Sequence, residues 1–265
     1  MKIQNLWLKW RILVITLPFT AIFALAKWGV HELGWQVWSF DALTSSMFGA
    51  ATLLLAFVLG GTLSDYRDSE TLPIEIGCAI EASFENALLL TGLHKDYAPQ
   101  QYLGDLIHAL DAILDWLKSG SATEPLLEQI AKLAKHQAAI GQYGNQAVVN
   151  FAQVEQDKLR SAILKIQIVR DTNFVAPAYA ILELFIAAAI VSLLLIGGDI
   201  ASLTKSLVLS SFLFTAFIYL LILIRDLDNP FQYKGSSSAD ISLITLEATH
   251  RRLCDRLEHL SSTSN

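Results

Sequence analysis

The chain has 265 residues, of which 53% are hydrophobic and only 17% charged, a balance far from that of an average soluble domain and one that predicts a membrane protein. The net charge of −6, with no basic stripe or arginine-rich helix to neutralise phosphates, excludes a nucleic-acid partner. Two cysteines, Cys78 and Cys254, with no CxxC motif and no histidine at ligand spacing, read as reduced thiols on the cytoplasmic side rather than as a disulfide or metal site.

The N-terminus mixes Lys2, Lys9 and Arg11 with Trp7 and Trp10, an interfacial anchor ahead of an apolar run. The first membrane helix is expected over about 12–28, with Pro18 shaping or kinking it. No small-residue cleavage site follows, which argues against a signal peptide. The link 27–41 carries Trp28, Trp35 and Trp38 with Lys27, His31, Glu32 and Asp41, and reads as an amphipathic turn at the outer interface with His31 wetted.

The second membrane helix, 42–64, is uncharged, lean and long enough to cross the hydrocarbon layer. Gly49, Ala50, Gly60 and Gly61 let other helices approach closely, whereas Leu53 and Phe57 project large apolar groups. Together with 1–41 it forms an N-terminal membrane hairpin, 1–64, and its leanness points to a pore-lining role. The apolar run breaks into Asp65-Tyr66-Arg67-Asp68, followed by Glu70. In a ring of subunits these acids would form a cation-concentrating mouth, and Leu53, Phe57 and Gly61 would stack as apolar collars able to gate by dewetting; in a monomer the same acids are a solvated helix end.

Residues 65–172 have the hydropathy of a soluble helical body. Ile76, Ile80, Phe84, Ala87 and Leu88 recur at helical spacing, as do Leu103, Leu106, Ile107, Leu110, Ile113, Leu114 and Leu117. Breaks are expected at 92–100 and 119–125, with further helices over about 125–140 and 148–170. The region 173–225 forms a second hairpin, with membrane helices at about 176–196 and 207–224 closed by Gly197-Gly198-Asp199 and by Arg225-Asp226-Leu227-Asp228. Glu183 lies either toward the bundle interior or in the headgroup region. The cytoplasmic segment 226–265 places Leu243, Leu246, His250, Leu253, Leu257 and Leu260 on one helical face, with His250 and His259 at the surface. Lys and Arg near the helix ends favour one side, which predicts cytoplasmic termini and a cytoplasmic middle segment.

No nucleophile elbow, phosphate-cradling loop, paired-histidine motif or cofactor fingerprint is present, so neither enzymatic chemistry nor a cofactor is expected. What stands is the order of two membrane helices, a long helical segment, two more membrane helices and a tail. Added to it are Phe57-Val58-Leu59-Gly60 in the second helix and Leu227-Asp228-Asn229-Pro230-Phe231 after the fourth. This pattern resembles the bestrophin family of channels and bestrophin-like membrane proteins.

The resemblance implies an all-α integral membrane protein, a homopentamer whose second helices surround an axial pore, with Leu53, Phe57 and Gly61 at the neck. It implies passive conduction of chloride or small anions, and identifies Asn229, Pro230 and Phe231 with the motif that closes the family's membrane core. Glycine at the third neck position departs from the family and implies a shorter hydrophobic neck. The exit Ser64-Asp65-Tyr66-Arg67-Asp68 departs from the family's more basic, aromatic stretch and leans toward cations. Where animal members carry an acidic run for a calcium clasp, this chain has Gln232-Tyr233-Lys234-Gly235-Ser236-Ser237-Ser238, so no such metal site is expected, and Asp226 and Asp228 are read as pairing with Arg225 or Arg67. The partners expected are the lipid bilayer, other copies of the chain and inorganic ions, in a bacterial inner (plasma) membrane. The alternative is a non-conducting membrane scaffold or sensor whose helical body binds a partner.

Overall fold

The computed structural model describes residues 2–144, 146–171, 176–197, 203–233, 237 and 239–263. Gly198 and Asp199, which close the expected third membrane helix, lie outside the described residues, as do Lys234, Gly235, Ser236 and Ser238. Among the described residues the chain is helical throughout, with one isolated backbone bridge between Trp38 and Ile196 and no strand. The helices are α1 (Lys2–Glu32), α2 (Ala42–Leu93), α3 (Gln100–Ser119), α4 (Glu124–Ala131), α5 (Lys135–Tyr143), α6 (Gln146–Asp171), α7 (Ala176–Leu195), α8 (Leu203–Asp228) and α9 (Ile244–Thr263). Four of them, α1, α2, α7 and α8, are long and apolar enough to cross a membrane.

The chain divides into two compact units. The first comprises Met1–Tyr66 and Asn173–Asn229, the second Arg67–Thr172 and Pro230–Asn265. In the first unit, α1 packs on α7 and α8. Phe23, Ala51, Leu55, Val58, Leu182, Ile186, Ala189, Leu193, Phe214, Phe217 and Ile224 form its core. Phe23 stacks on Phe214 with ring centroids 4.3 Å apart, and Phe48 faces Phe217. Pro18 withdraws one backbone donor from α1, and hydroxyls of the adjacent turns supply polar contacts there. Thr16 donates to the Leu13 carbonyl at 2.7 Å, and the Thr20 and Thr215 hydroxyls meet at 2.8 Å between α1 and α8.

Lys27 and His31 belong to α1, not to a wetted link. Lys27 is fully buried, and its ammonium donates to the carbonyls of Leu193 at 2.6 Å and Ile196 at 3.1 Å. The last carbonyls of a helix have no partner within it, and a cation satisfies both their hydrogen-bonding need and their negative end charge. The link after α1 closes on the same helix end: Trp38 N–H donates to the Leu195 carbonyl, Gly197 N–H donates to the Trp38 carbonyl, and His31 Nδ1 lies 2.9 Å from Gln36 Oε1. A Cβ on Gly197 would stand 2.9 Å from that of Gln36, which is why the close approach requires glycine. Asp41 then caps α2 by accepting from the Thr44 N–H and hydroxyl, each at 2.8 Å, and these bonds lower its pKa.

The second helix does not end at residue 64. It continues as one element to Leu93 because nothing in Asp65-Tyr66-Arg67-Asp68 opposes helix, and the amphipathic pattern at 76–88 takes over the burial that the apolar run supplied. In the second unit, Ile76, Ile80, Phe84, Ala87 and Leu90 of α2 are buried, together with nine residues of α3 from Tyr102 to Leu117 and with Leu159, Ala162, Ile163 and Ile166 of α6. Each buried large aliphatic contributes roughly 1.5–3 kcal/mol. The helix expected over 125–140 is interrupted by a tighter turn at Lys132–Ala134 that separates α4 from α5. There Gln137 Nε2 donates to Gln156 Oε1 at 2.7 Å, and Gln156 Nε2 donates to the Ile130 carbonyl at 3.0 Å.

Helix α9 packs on α3 and buries Leu246 and Leu253, Leu246 lying beside Gly77 of α2, whereas Leu260 is exposed. Lys118–Glu247 at 2.7 Å is an ion pair to α3, Arg252–Glu81 at 3.2 Å and Arg256–Glu85 at 3.3 Å are ion pairs to α2, and His250 Nε2 lies 3.5 Å from Asp111 Oδ1 of α3. His250 is therefore half-buried rather than a surface residue, and one turn later Cys254 Sγ lies 3.8 Å from its Nε2. Burial, reinforced by Asp111, raises the Cys254 pKa and keeps the thiol protonated.

Two outcomes are expected. Lys27→Met should lower the unfolding temperature measured in detergent, because the two charge-assisted bonds it removes are each worth about 1.5–3 kcal/mol and the carbonyls stay buried. The second concerns Asp105, which accepts from Lys135 at 2.8 Å and from the buried His136 at 2.7 Å, and these donors hold its pKa below the ordinary carboxylate value. A depressed folded-state pKa contributes stability that is present above the unfolded value near ~3.9 and lost as pH falls through the folded one. Asp105→Asn should therefore be less stable than the parent at pH 7, with the difference closing in acid, as read by unfolding scans across pH.

Candidate functional site

The residues singled out in the sequence lie on two structures, one face of α2 and the segment that follows α8. In α2 the buried face is Ala51, Leu55, Val58 and Thr62, at three- and four-residue spacing. The opposite face is uncovered by the rest of the chain: Leu53 is 71% exposed and Phe57 74%. Continued at 3.6 residues per turn, the Phe57 face passes through Ser64, Asp68 and Thr71, all exposed. Gly61 stands between this face and the buried one and is half-buried. Asp65 and Glu70 are exposed, but their helical positions point to either side of the Phe57 line, so of the three acids at the expected mouth Asp68 alone continues it.

Beside the Leu53–Phe57 line runs a second exposed strip of small residues, Gly49, Thr52, Ala56 and Gly60. A Cβ added to Gly49 or Gly60 would meet nothing within 4 Å. Glycine, alanine and threonine at this spacing let another helix approach closely, so α2 offers a helix-packing strip adjoining two bulky apolar side chains.

Glu183 is ion-paired rather than isolated: Arg225 Nη2 donates to its Oε1 at 2.5 Å across α7 and α8. Glu183 faces Arg225 from the neighbouring helix.

In the motif after α8, Pro230 and Phe231 are buried, Phe231 to 1% exposure, and Asn229 is half-buried. The Pro230 carbonyl accepts from the Ile241 N–H at 3.0 Å, and the Tyr233 hydroxyl donates to the Ile241 carbonyl at 2.9 Å. Arg170, at the end of α6, holds this turn. Its guanidinium donates to the Leu117 carbonyl at 2.6 Å, to Trp116 at 3.3 Å and to Phe231 at 3.4 Å, and lies over the Trp116 ring at 4.5 Å. Burial lowers its pKa, yet a guanidinium stays charged at any physiological pH. Leu117 and Trp116 belong to the last turn of α3, which ends at Gly120 with φ 66°, a left-handed cap that glycine adopts without strain. One side chain thus ties the end of α3 to the Pro-Phe turn.

Among the described residues no group of three or more His, Cys, Asp or Glu is placed to hold a metal ion. The chain matches solved structures along almost its whole length. Two variants of a bacterial bestrophin homolog from Klebsiella pneumoniae align with TM-scores of 0.72 and 0.71, each at 15% identity; the first alignment covers 94% of this chain and 98% of that one, the second 94% and 99%. A variant described only as a membrane protein aligns at 0.76 with 12% identity, covering 92% of this chain and 98% of that one. No protein-family model matches the sequence, and no curated protein matches it. The chain has a bestrophin-like fold, all-α, in an integral membrane protein.

Arg170→Lys keeps the charge but loses the planar fork, and should lower stability by about 1–3 kcal/mol, with Arg170→Met at least as damaging. Denaturant unfolding followed by tryptophan fluorescence checks this, Trp116 being the reporter in contact.

Proposed function

We propose that the protein is a pore-forming ion channel of bestrophin type, in which copies of the chain, five by the family resemblance, pack their α2 helices around an axis. The observation that carries this reading is the division of α2 into one face buried in its own unit and one face left bare, the bare face pairing two bulky apolar side chains with a strip of small residues. Packed through that strip, each helix would present Leu53 and Phe57 to the axis as an apolar neck, with Gly61 at its margin. The fold shared with the bacterial bestrophin homolog supports the same assembly.

The neck conducts passively and gates by wetting and dewetting. Family resemblance brings chloride and small anions; beyond the neck Asp68, which continues the Phe57 face, adds a charge that favours cations. We take cations as preferred. Asn229, Pro230 and Phe231 act structurally, closing the turn that Arg170 grips.

The test is ion flux through purified protein in planar bilayers or liposomes, with the oligomer mass measured in detergent. Phe57→Ala and Leu53→Ala should raise open probability or conductance several-fold by weakening the apolar barrier. A monomeric mass with no flux would favour the non-conducting scaffold; flux that both substitutions leave unchanged would remove α2 from the neck.

A further inference from the structure

One face of α7 is apolar, bare and interrupted by charge. Ala180, Leu184, Ala187 and Val191 are exposed at helical spacing, and Glu183 stands at their edge. Arg225 of α8 meets it, yet after pairing the two side chains keep 46% and 60% of their surface exposed. The contact is a single point: Arg225 Nη2 donates to Glu183 Oε1, and among the described residues Glu183 Oε2 and Arg225 Nε and Nη1 make no other hydrogen bond. Its depth follows from α8. Between Lys205 and Arg225 that helix carries no charge, and at about 1.5 Å per residue the uncharged rise is about 30 Å, the thickness of the hydrocarbon layer. Arg225 thus stands where hydrocarbon gives way to headgroups, and Glu183 shares that level. Helix α7 begins about two turns before Glu183, which leaves its first residues in the headgroup layer.

We propose that Glu183 and Arg225 form a binding site for a zwitterionic lipid head that carries a phosphate and a primary ammonium, as phosphatidylethanolamine does. The planar fork of Arg225 suits a phosphate, and the open carboxylate oxygen of Glu183 accepts from an ammonium N–H. The two charges of such a head are opposite in sign and a few atoms apart, as are those of the pair. A choline head has the same charges but no N–H to donate, and a glycerol head brings a phosphate with no cation for Glu183. Free phosphoethanolamine offers the same polar groups, but Ile181 and Leu184, bare beside Glu183, add an apolar surface that only a lipid with acyl chains covers. The site belongs to the outward side of α7 and α8 and stands whether or not α2 lines a pore.

To test this, the purified full-length protein in detergent is offered an equimolar mixture of phosphatidylethanolamine, phosphatidylcholine and phosphatidylglycerol with identical acyl chains, and the lipids it retains are counted by native mass spectrometry. The parent should retain phosphatidylethanolamine at least about five-fold over each competitor, the discrimination that one charge-assisted hydrogen bond supports. Glu183→Gln should remove its advantage over phosphatidylglycerol, and Arg225→Gln should remove the preference altogether. The quantity read is a ratio, so a variant that is only less stable leaves it unmoved. Soluble phosphoethanolamine at the concentration of the lipid should displace none of it; displacement would assign the site to the free compound and overturn the lipid reading. Equal retention of the three lipids by the parent, or a preference that both variants keep, would overturn the inference as well.

Discussion

A fully buried lysine and a half-buried arginine each close a helix end by donating to backbone carbonyls. Lys27 closes the C-terminal end of α7, and Arg170 closes that of α3, by donating to the carbonyls a helix cannot satisfy internally. In both cases the positive charge meets the partial negative charge of a helix end. The arrangement is economical because each side chain holds a second segment as well. Lys27 sits where the link after α1 folds onto α7, and Arg170 reaches the Phe231 carbonyl in the turn after α8. Loss of either would leave buried carbonyls unpaired and release a turn.

Against that fixed framework, α2 stands out for what it leaves bare. Its buried face is continuous in character, aliphatic from Ala51 to Val58 and again from Ile76 to Leu90. Its bare face is not: leucine and phenylalanine give way to glycine, serine, aspartate, threonine and glutamate. A helix that only faced lipid would gain nothing from the small-residue strip beside Leu53 and Phe57, and a helix that only faced water would not carry those two side chains uncovered. The combination makes sense if copies of α2 surround a space that is dry at one level and wet at the next.

Much of this was written in the sequence as periodicity. The apolar spacing of α3 and of the second half of α2 marks their buried faces residue by residue, and the four apolar runs mark the helices able to span a membrane. Helix ends were less legible. Charged residues after Ser64 read as a stop, yet helix propensity continued through them, because charge ends a membrane span without ending a helix. As residues near helix ends the two cations show no partner in the sequence, although their register is telling. Lys27 follows Ile12, Thr16 and Phe23 on the buried line of α1, and Arg170 follows Leu159, Ile163 and Ile166 on that of α6. A cation in core register signals a helix end to be capped, but which end it caps depends on segments far apart in the chain. The same holds for Glu183 and Arg225, whose pairing needs two helices to be side by side.

The helical body is sewn by two kinds of seam. Gln137 and Gln156 join α5 to α6 with neutral amides, whose hydrogen bonds carry no net charge for dissolved ions to screen. Helix α9 is held at its margins by ion pairs, which a Debye length of about 8 Å at physiological ionic strength already weakens. Rising salt therefore loosens one seam and spares the other. Among the described residues α9 makes more cross-helix pairs between a lysine or arginine and a carboxylate than any other helix, so its grip is the most open to salt.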